Sequence, residues 1–190
     1  MLRYSSNIGA AKIADMSGPE AQKDFLAKLG MLKPMNVGLS EVGPVRYPAN
    51  WGRIQTFTIA FGHGIMVTPL HLIAAVTALA TDGQYRLPHL VQGMEPKPPV
   101  SVMGMDTVRQ MRDLMRDVVL NGSGRNAQVT GYDIGGKTGT AEKISGHGYS
   151  GDKNVVSFVA AMPMENPHYV TLIMLDEPKK GFETGGRSAA

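Results

Sequence analysis

An α+β fold, with an antiparallel sheet covered on one face by helices, is predicted by three observations. Apolar residues recur at helical spacing through several stretches of residues 8–120. Three runs that read as strands then follow between residues 134 and 175, the last two of them β-rich. A turn joins the last two, the three read as an antiparallel meander, and helices come first in the chain and sheet second. The length of 190 residues fits one domain with a real core, and 43% apolar with 18% charged residues is a globular balance.

Taken in order, Ser5, Ser6 and Asn7 form a helix entrance ahead of the run Ile8 to Asp15, because short polar side chains accept hydrogen bonds from free first-turn amides. A second helix is signalled by Ser17 as its cap, Pro19 in its first turn and apolar Ala21, Phe25, Leu26 and Leu29. Gly30 stands just past its end. Residues 31–56 are rich in Gly and Pro, contain Trp51 and show no sustained period, which reads as an irregular connection. Thr68-Pro69 opens the next helix, with Leu72, Ile73, Val76, Leu79 and Ala80 on one face and Gly83 closing it.

A Pro-rich link at 94–104 leads into an amphipathic helix from Met105 to Leu120, marked by Val108, Met111, Leu114, Met115, Val118 and Val119 and ended by Asn121-Gly122. Strands are expected over Ile134 to Glu142, Val155 to Met162 and Tyr169 to Leu175, with a turn around Glu165-Asn166-Pro167. Gly186 to Ala190 reads as the start of a further helix, so the sheet and its cover are expected to be partial.

Composition excludes several classes of function. The formal charge of +3 is spread thinly, with no basic run, which gives no support to nucleic-acid binding. There is no cysteine, and His63, His71, His89, His147 and His168 lack zinc-ligand spacing, so neither a metal nor another cofactor is expected. Phe61-Gly62-His63-Gly64 lacks the Gly-Lys-Ser/Thr ending of a phosphate loop and reads as a packed turn. No run approaches the roughly 20 apolar residues that span a bilayer. Residues 1–20 do not read as a signal peptide, so any targeting or anchoring segment is expected outside this chain.

The chemistry-bearing signal is Gly135-Gly136-Lys137-Thr138-Gly139-Thr140-Ala141-Glu142 on the first expected strand. An ammonium can hold a proton relay in place, two threonine hydroxyls can bind a carboxylate, and a glycine lets an extended peptide lie close to the strand. Strand alternation sends Lys137 to one face and Thr138 and Thr140 to the other, so all three serve one cleft only on an edge strand. Ser5-Ser6-Asn7 matches the Ser-x-Asn element that accompanies Lys-Thr-Gly in penicillin-recognising serine enzymes.

Together, Arg3-Tyr4-Ser5-Ser6-Asn7-Ile8-Gly9, Phe61-Gly62-His63-Gly64 with Val67-Thr68-Pro69-Leu70, and Gly136-Lys137-Thr138-Gly139-Thr140-Ala141-Glu142 resemble the class B penicillin-binding proteins in order and approximate spacing. Within that class the chain looks most like the division-specific transpeptidases of Gram-negative bacteria, over nearly all of its length. The resemblance implies the penicillin-binding protein and serine β-lactamase-like fold, with residues 1–190 as the C-terminal part of one transpeptidase domain. It implies a peptidoglycan D,D-transpeptidase of septal wall synthesis, at the periplasmic face of the inner membrane. Peptidoglycan stem peptides and β-lactams would be its ligands and division proteins its partners. Carried over residue by residue, Ser5 would relay a proton and Lys137 would position it. Asn7 would bond the substrate amide, while Thr138, Gly139 and Thr140 would receive the terminal carboxylate and the extended peptide.

One motif departs from the pattern. The family's Ser-x-x-Lys, with nucleophile and base, should precede Ser-x-Asn by tens of residues, and only four residues do so here. Ser150-Gly151-Asp152-Lys153 fits the letters but stands in a Gly-rich stretch with no following helix, and is read as coincidence. The nucleophile is therefore expected outside this chain, which alone would be inactive. Carboxypeptidase or β-lactamase chemistry, and a noncatalytic binding role, remain as rivals.

Overall fold

A computed structural model describes the chain except for Met94, Gly146, His147 and residues 180–183, and leaves out the side chains of residues 144–152. It forms two compact units, one of Met1–Ser5 with Gln110–Ala190 and the other of Ser6–Arg109.

In the second unit, α1 spans Asn7–Lys28 and is capped by Ser6, whose hydroxyl accepts from the Gly9 N–H at 3.1 Å. Gly18, at φ 80° and ψ 166°, divides it into two helical stretches, as the sequence leads one to expect. Ser17 does not cap the second stretch. Its hydroxyl donates to the Ile13 carbonyl at 3.2 Å and so belongs to the end of the first.

The helix closes on a pair of reverse bonds, Gly30 N–H to Ala27 and Met31 N–H to Leu26, with Gly30 left-handed at φ 72°. A Cβ at Gly30 would also collide with the Tyr85 hydroxyl. Gly30→Ala is therefore expected to destabilise the protein by about 1–3 kcal/mol, read as a lowered midpoint in thermal or urea unfolding.

Residues 53–60, partly inside the stretch read as irregular, form α2 (Arg53–Ala60). Two turns carrying Thr56 and Thr58 among Ile54, Phe57 and Ile59 are too short to display a helical period. Gln55 Oε1 accepts from the Gly52 N–H, and α2 lies on α1. Gln22 of α1 joins them: its amide donates to the Thr56 carbonyl at 3.0 Å and its oxygen accepts from the Trp51 indole N–H at 3.0 Å.

Helix α3 (Pro69–Ala80) starts after Thr68 and is closed by Gly83, whose N–H returns to the Ala78 carbonyl at 3.0 Å, in line with the sequence. His71 is fully buried. Its Nε2 donates to the Lys33 carbonyl at 2.9 Å, since a carbonyl can only accept, and Nδ1 takes the Thr68 hydroxyl at 2.7 Å. This histidine ties the helix entrance to a loop. In a two-residue antiparallel pair, β2 (Val100–Ser101) falls in the stretch read as a Pro-rich link and β1 (Gln84–Tyr85) ahead of it, where no element was expected; strands this short show no alternation. Leu29, Ala75 and Ala78 form a core there, with Met31, Tyr85 and Val102 against it.

Helix α4 runs Met105–Asn121 and buries Val108, Met115, Val118 and Val119, four of the six positions that marked its apolar face. In the first unit it is followed by the antiparallel sheet β3 (Gly135–Ser145), β4 (Gly148–Met162) and β5 (Tyr169–Asp176), in the order β3-β4-β5. Strand β4 begins at Gly148 and not at Val155, so the backbone of Ser150 is in a strand and not in a loop. Its side chain lies outside the described residues.

Val119, Ile134, Phe158, Ala160 and Ala189 pack together, which places helical residues on one face of β4. A single-turn helix, α5 (Gly185–Ser188), forms where the sequence reads as a helix start and lies against β3 and β4.

Candidate active site

The site is assembled within the first unit from three short segments. The first begins with a 3-10 turn at Leu2–Tyr4, which leaves Ser5 left-handed at φ 52°, ψ 49°, with its N–H bonded to the Leu2 carbonyl. A serine at positive φ is uncommon and is held by its surroundings. Here the holding group is Arg3, whose guanidinium grips Asp117 of α4 through two bonds of 2.6 and 2.7 Å. Asn121 donates to the same carboxylate at 3.0 Å. These bonds, Arg3 foremost, hold the Asp117 carboxyl below the usual carboxylate range. The anchor is thus present above the ordinary carboxylate value and is lost as pH falls through the depressed one.

The second segment is β3, at the edge of its sheet. The Lys137 ammonium donates to Ser5 Oγ at 2.8 Å and to the Thr138 carbonyl at 2.7 Å, and stands 3.5 Å from Thr138 Oγ1. The long lysine side chain thereby overcomes the strand alternation that would separate it from Thr138. Burial pushes the Lys137 pKa below its ordinary 10.5, with no neighbouring carboxylate among the causes to offset it.

The third segment brings polar groups around the threonines. Thr138 Oγ1 is 2.7 Å from Ser123 Oγ, and Thr140 Oγ1 accepts the Gly185 N–H at 3.2 Å. A Cβ at Gly185 would meet the carbonyls of Gly139 and Ser157, so only glycine lets α5 approach β3 this closely. A pocket of about 320 Å³ opens here, lined by Ser123, Arg125, Thr138, Thr140, Gly185 and Arg187 among others. Hydroxyls, a strand edge and two guanidinium groups suit an anionic ligand such as a carboxylate.

Of the residues singled out in the sequence, Lys137 is brought within hydrogen-bonding reach of both Ser5 and Thr138, with Gly139 and Thr140 next along β3. Asn7 belongs to the other unit, where it is the exposed first residue of α1. The sequence reading missed Arg3 with Asp117, Ser123 and Gly185. Arg3 and Asp117 are 114 residues apart, and no local pattern pairs them. Asn121-Gly122 registered only as the end of a helix and Ser123-Gly124 went unread, although a lone hydroxyl between two glycines marks a backbone that approaches something closely.

Comparison with known proteins points to a family. The penicillin-binding protein transpeptidase domain family matches residues 1–190. A probable peptidoglycan D,D-transpeptidase FtsI from Caulobacter vibrioides is 36% identical over 207 aligned positions, which cover 100% of this chain and 35% of that protein. Stage V sporulation protein D of Bacillus subtilis is 30% identical over 100% of this chain and 32% of its own length. The chain thus spans about a third of these relatives. Among solved structures, the transpeptidase domain of Burkholderia pseudomallei penicillin-binding protein 3 superposes with a TM-score of 0.87 at 36% identity, covering 97% of this chain and 57% of that one. Penicillin-binding protein 3 of Mycobacterium tuberculosis in complex with ampicillin gives 0.87 at 29% identity, covering 93% and 44%.

Proposed function

Because this chain belongs to the penicillin-binding protein transpeptidase family, class B, we propose that it supplies the proton relay and the carboxylate site of a serine-type peptidoglycan D,D-transpeptidase. The observation that carries the reading is the 2.8 Å bond from Lys137 Nζ to Ser5 Oγ, beside the hydroxyls of Thr138 and Thr140 on an edge strand. The nucleophilic serine belongs to a Ser-x-x-Lys segment of the longer protein. It attacks the carbonyl of the penultimate D-alanine of a stem peptide, the peptide bond to the terminal D-alanine breaks, and Ser5 passes a proton to the departing amine. An amine of a neighbouring stem then takes the acyl group and the serine regains its proton. Thr138 and Thr140 receive the terminal carboxylate, Asn7 the substrate amide, and the Thr140 N–H stabilises the oxyanion. Penicillins acylate the same serine.

Placement at the periplasmic face of the inner membrane, and a role in septal synthesis with division proteins, belong to the same proposal. They are supported by relatives that carry the name FtsI. The test is covalent labelling with a fluorescent penicillin, located by peptide mass spectrometry, in this chain and in the full-length protein. Labelling of the full-length protein alone, on a serine outside this chain, supports the reading. Labelling of Ser150 within the chain defeats it. Product analysis with a stem-peptide donor and an amine acceptor separates transfer from hydrolysis, the outcome for a carboxypeptidase or β-lactamase.

A pH profile offers a second check. If the Lys137 ammonium is the working form, activity is full below its pKa and lost as pH rises through it. Because burial depresses that pKa, the alkaline limb of the acylation rate is expected below 10.5.

A further inference from the structure

From the hydrogen-bond ring at this site, and on the reading of it just proposed, we infer that Ser123 is a positioning residue that orients the Thr138 hydroxyl toward the substrate carboxylate.

Four contacts close the ring. Lys137 Nζ donates to Ser5 Oγ, and Lys137 Nζ and Thr138 Oγ1 stand 3.5 Å apart. Ser123 Oγ is 2.7 Å from Thr138 Oγ1, and the Ser123 N–H donates to the Arg3 carbonyl at 3.0 Å. Arg3 and Ser5 are joined through Tyr4. Ser123 hydrogen-bonds both the strand with the Lys-Thr-Gly motif and the turn that delivers Ser5, and it belongs to neither motif. Its backbone fixes the turn and its side chain fixes Thr138.

The count of hydrogens gives the bond a direction. A hydroxyl has one hydrogen, and an ionised carboxylate offers only acceptors. If Thr138 gave its hydrogen to Ser123, it would have none for the ligand and would present a lone pair to a negative charge. Thr138 can donate to a carboxylate only when Ser123 donates to Thr138. The Ser123 hydroxyl thus sets the polarity of Thr138, and donation from Ser123 strengthens the Thr138 hydroxyl as a donor in turn. An alanine at 123 leaves the Arg3 bond intact, since that bond uses the backbone, but frees the Thr138 rotor.

The test compares benzylpenicillin with its neutral methyl ester as acylating agents of the full-length protein. The wild type, Ser123→Ala and Ser123→Thr are compared, with thermal midpoints measured alongside. For Ser123→Ala, acylation by the free acid is expected to slow about tenfold, the worth of one charge-assisted hydrogen bond, through weaker binding and not a slower chemical step. The ester should change by no more than about threefold, because a neutral acceptor gains less from an oriented donor. Ser123→Thr should restore the acid rate. An unchanged acid rate, or an equal loss for acid and ester, would overturn the role of Ser123 while leaving the transpeptidase reading in place. A wild type that neither compound acylates would overturn that reading, and this inference with it.

Discussion

Lys137→Met in the full-length protein is expected to slow penicillin acylation by about a thousandfold while the thermal midpoint holds or rises. Both halves come from the same contacts. The ammonium holds Ser5 Oγ at 2.8 Å, and without it the hydroxyl has neither a fixed position nor a neighbouring positive charge. Loss of a positioned proton relay costs about 10²–10⁴ in rate. The folded state, however, bears a cost for half-burying the charged form, shown by the depressed pKa. Methionine fills similar space without that charge. Stopped-flow acylation and a melting curve measure the two effects. A rate within tenfold of the wild type would mean that Lys137 is a structural lysine; a large fall in midpoint would mean that its bonds chiefly hold the fold together.

Ser5→Ala should act on a narrower step. The acylation rate is expected to fall by about 10²–10³, with the dissociation constant of the initial complex nearly unchanged, since Ser5 is assigned to proton transfer and the carboxylate to Thr138 and Thr140. Separating binding from chemistry by single-turnover kinetics at varied penicillin concentration checks this. Equal loss in binding alone would place Ser5 in the ligand's recognition, with no share in the relay.

Much of this architecture was legible because its signals are local. Ser6 at a helix entrance, Gly30 and Gly83 at helix ends and the apolar face of α4 each follow from a few neighbouring residues. So did the order of the last three strands, read as a meander with a turn between the last two. What escaped notice was either too short or too distant. Helix α2 and the β1-β2 pair do not last long enough to show a period. The early start of β4 lies in a polar, Gly-containing stretch that lacks the apolar, β-rich character of Val155 to Met162, and Ser17 looked like a cap because capping and back-bonding use the same side chain. Within the site, Ser5, Lys137, Thr138 and Thr140 were found through motif letters that name reactive groups. Arg3, Asp117, Ser123 and Gly185 were not, since they act on those groups across the fold and only coordinates bring them together.

The left-handed backbone of Ser5 bears on how this protein could be engineered. Glycine adopts that conformation without the strain that a side chain incurs, so at this one position heat resistance and catalysis pull in opposite directions. A directed-evolution campaign that ranks variants by melting temperature would reward the loss of the hydroxyl. Libraries built on this domain therefore need selection for acylation in the same round, or position 5 held constant.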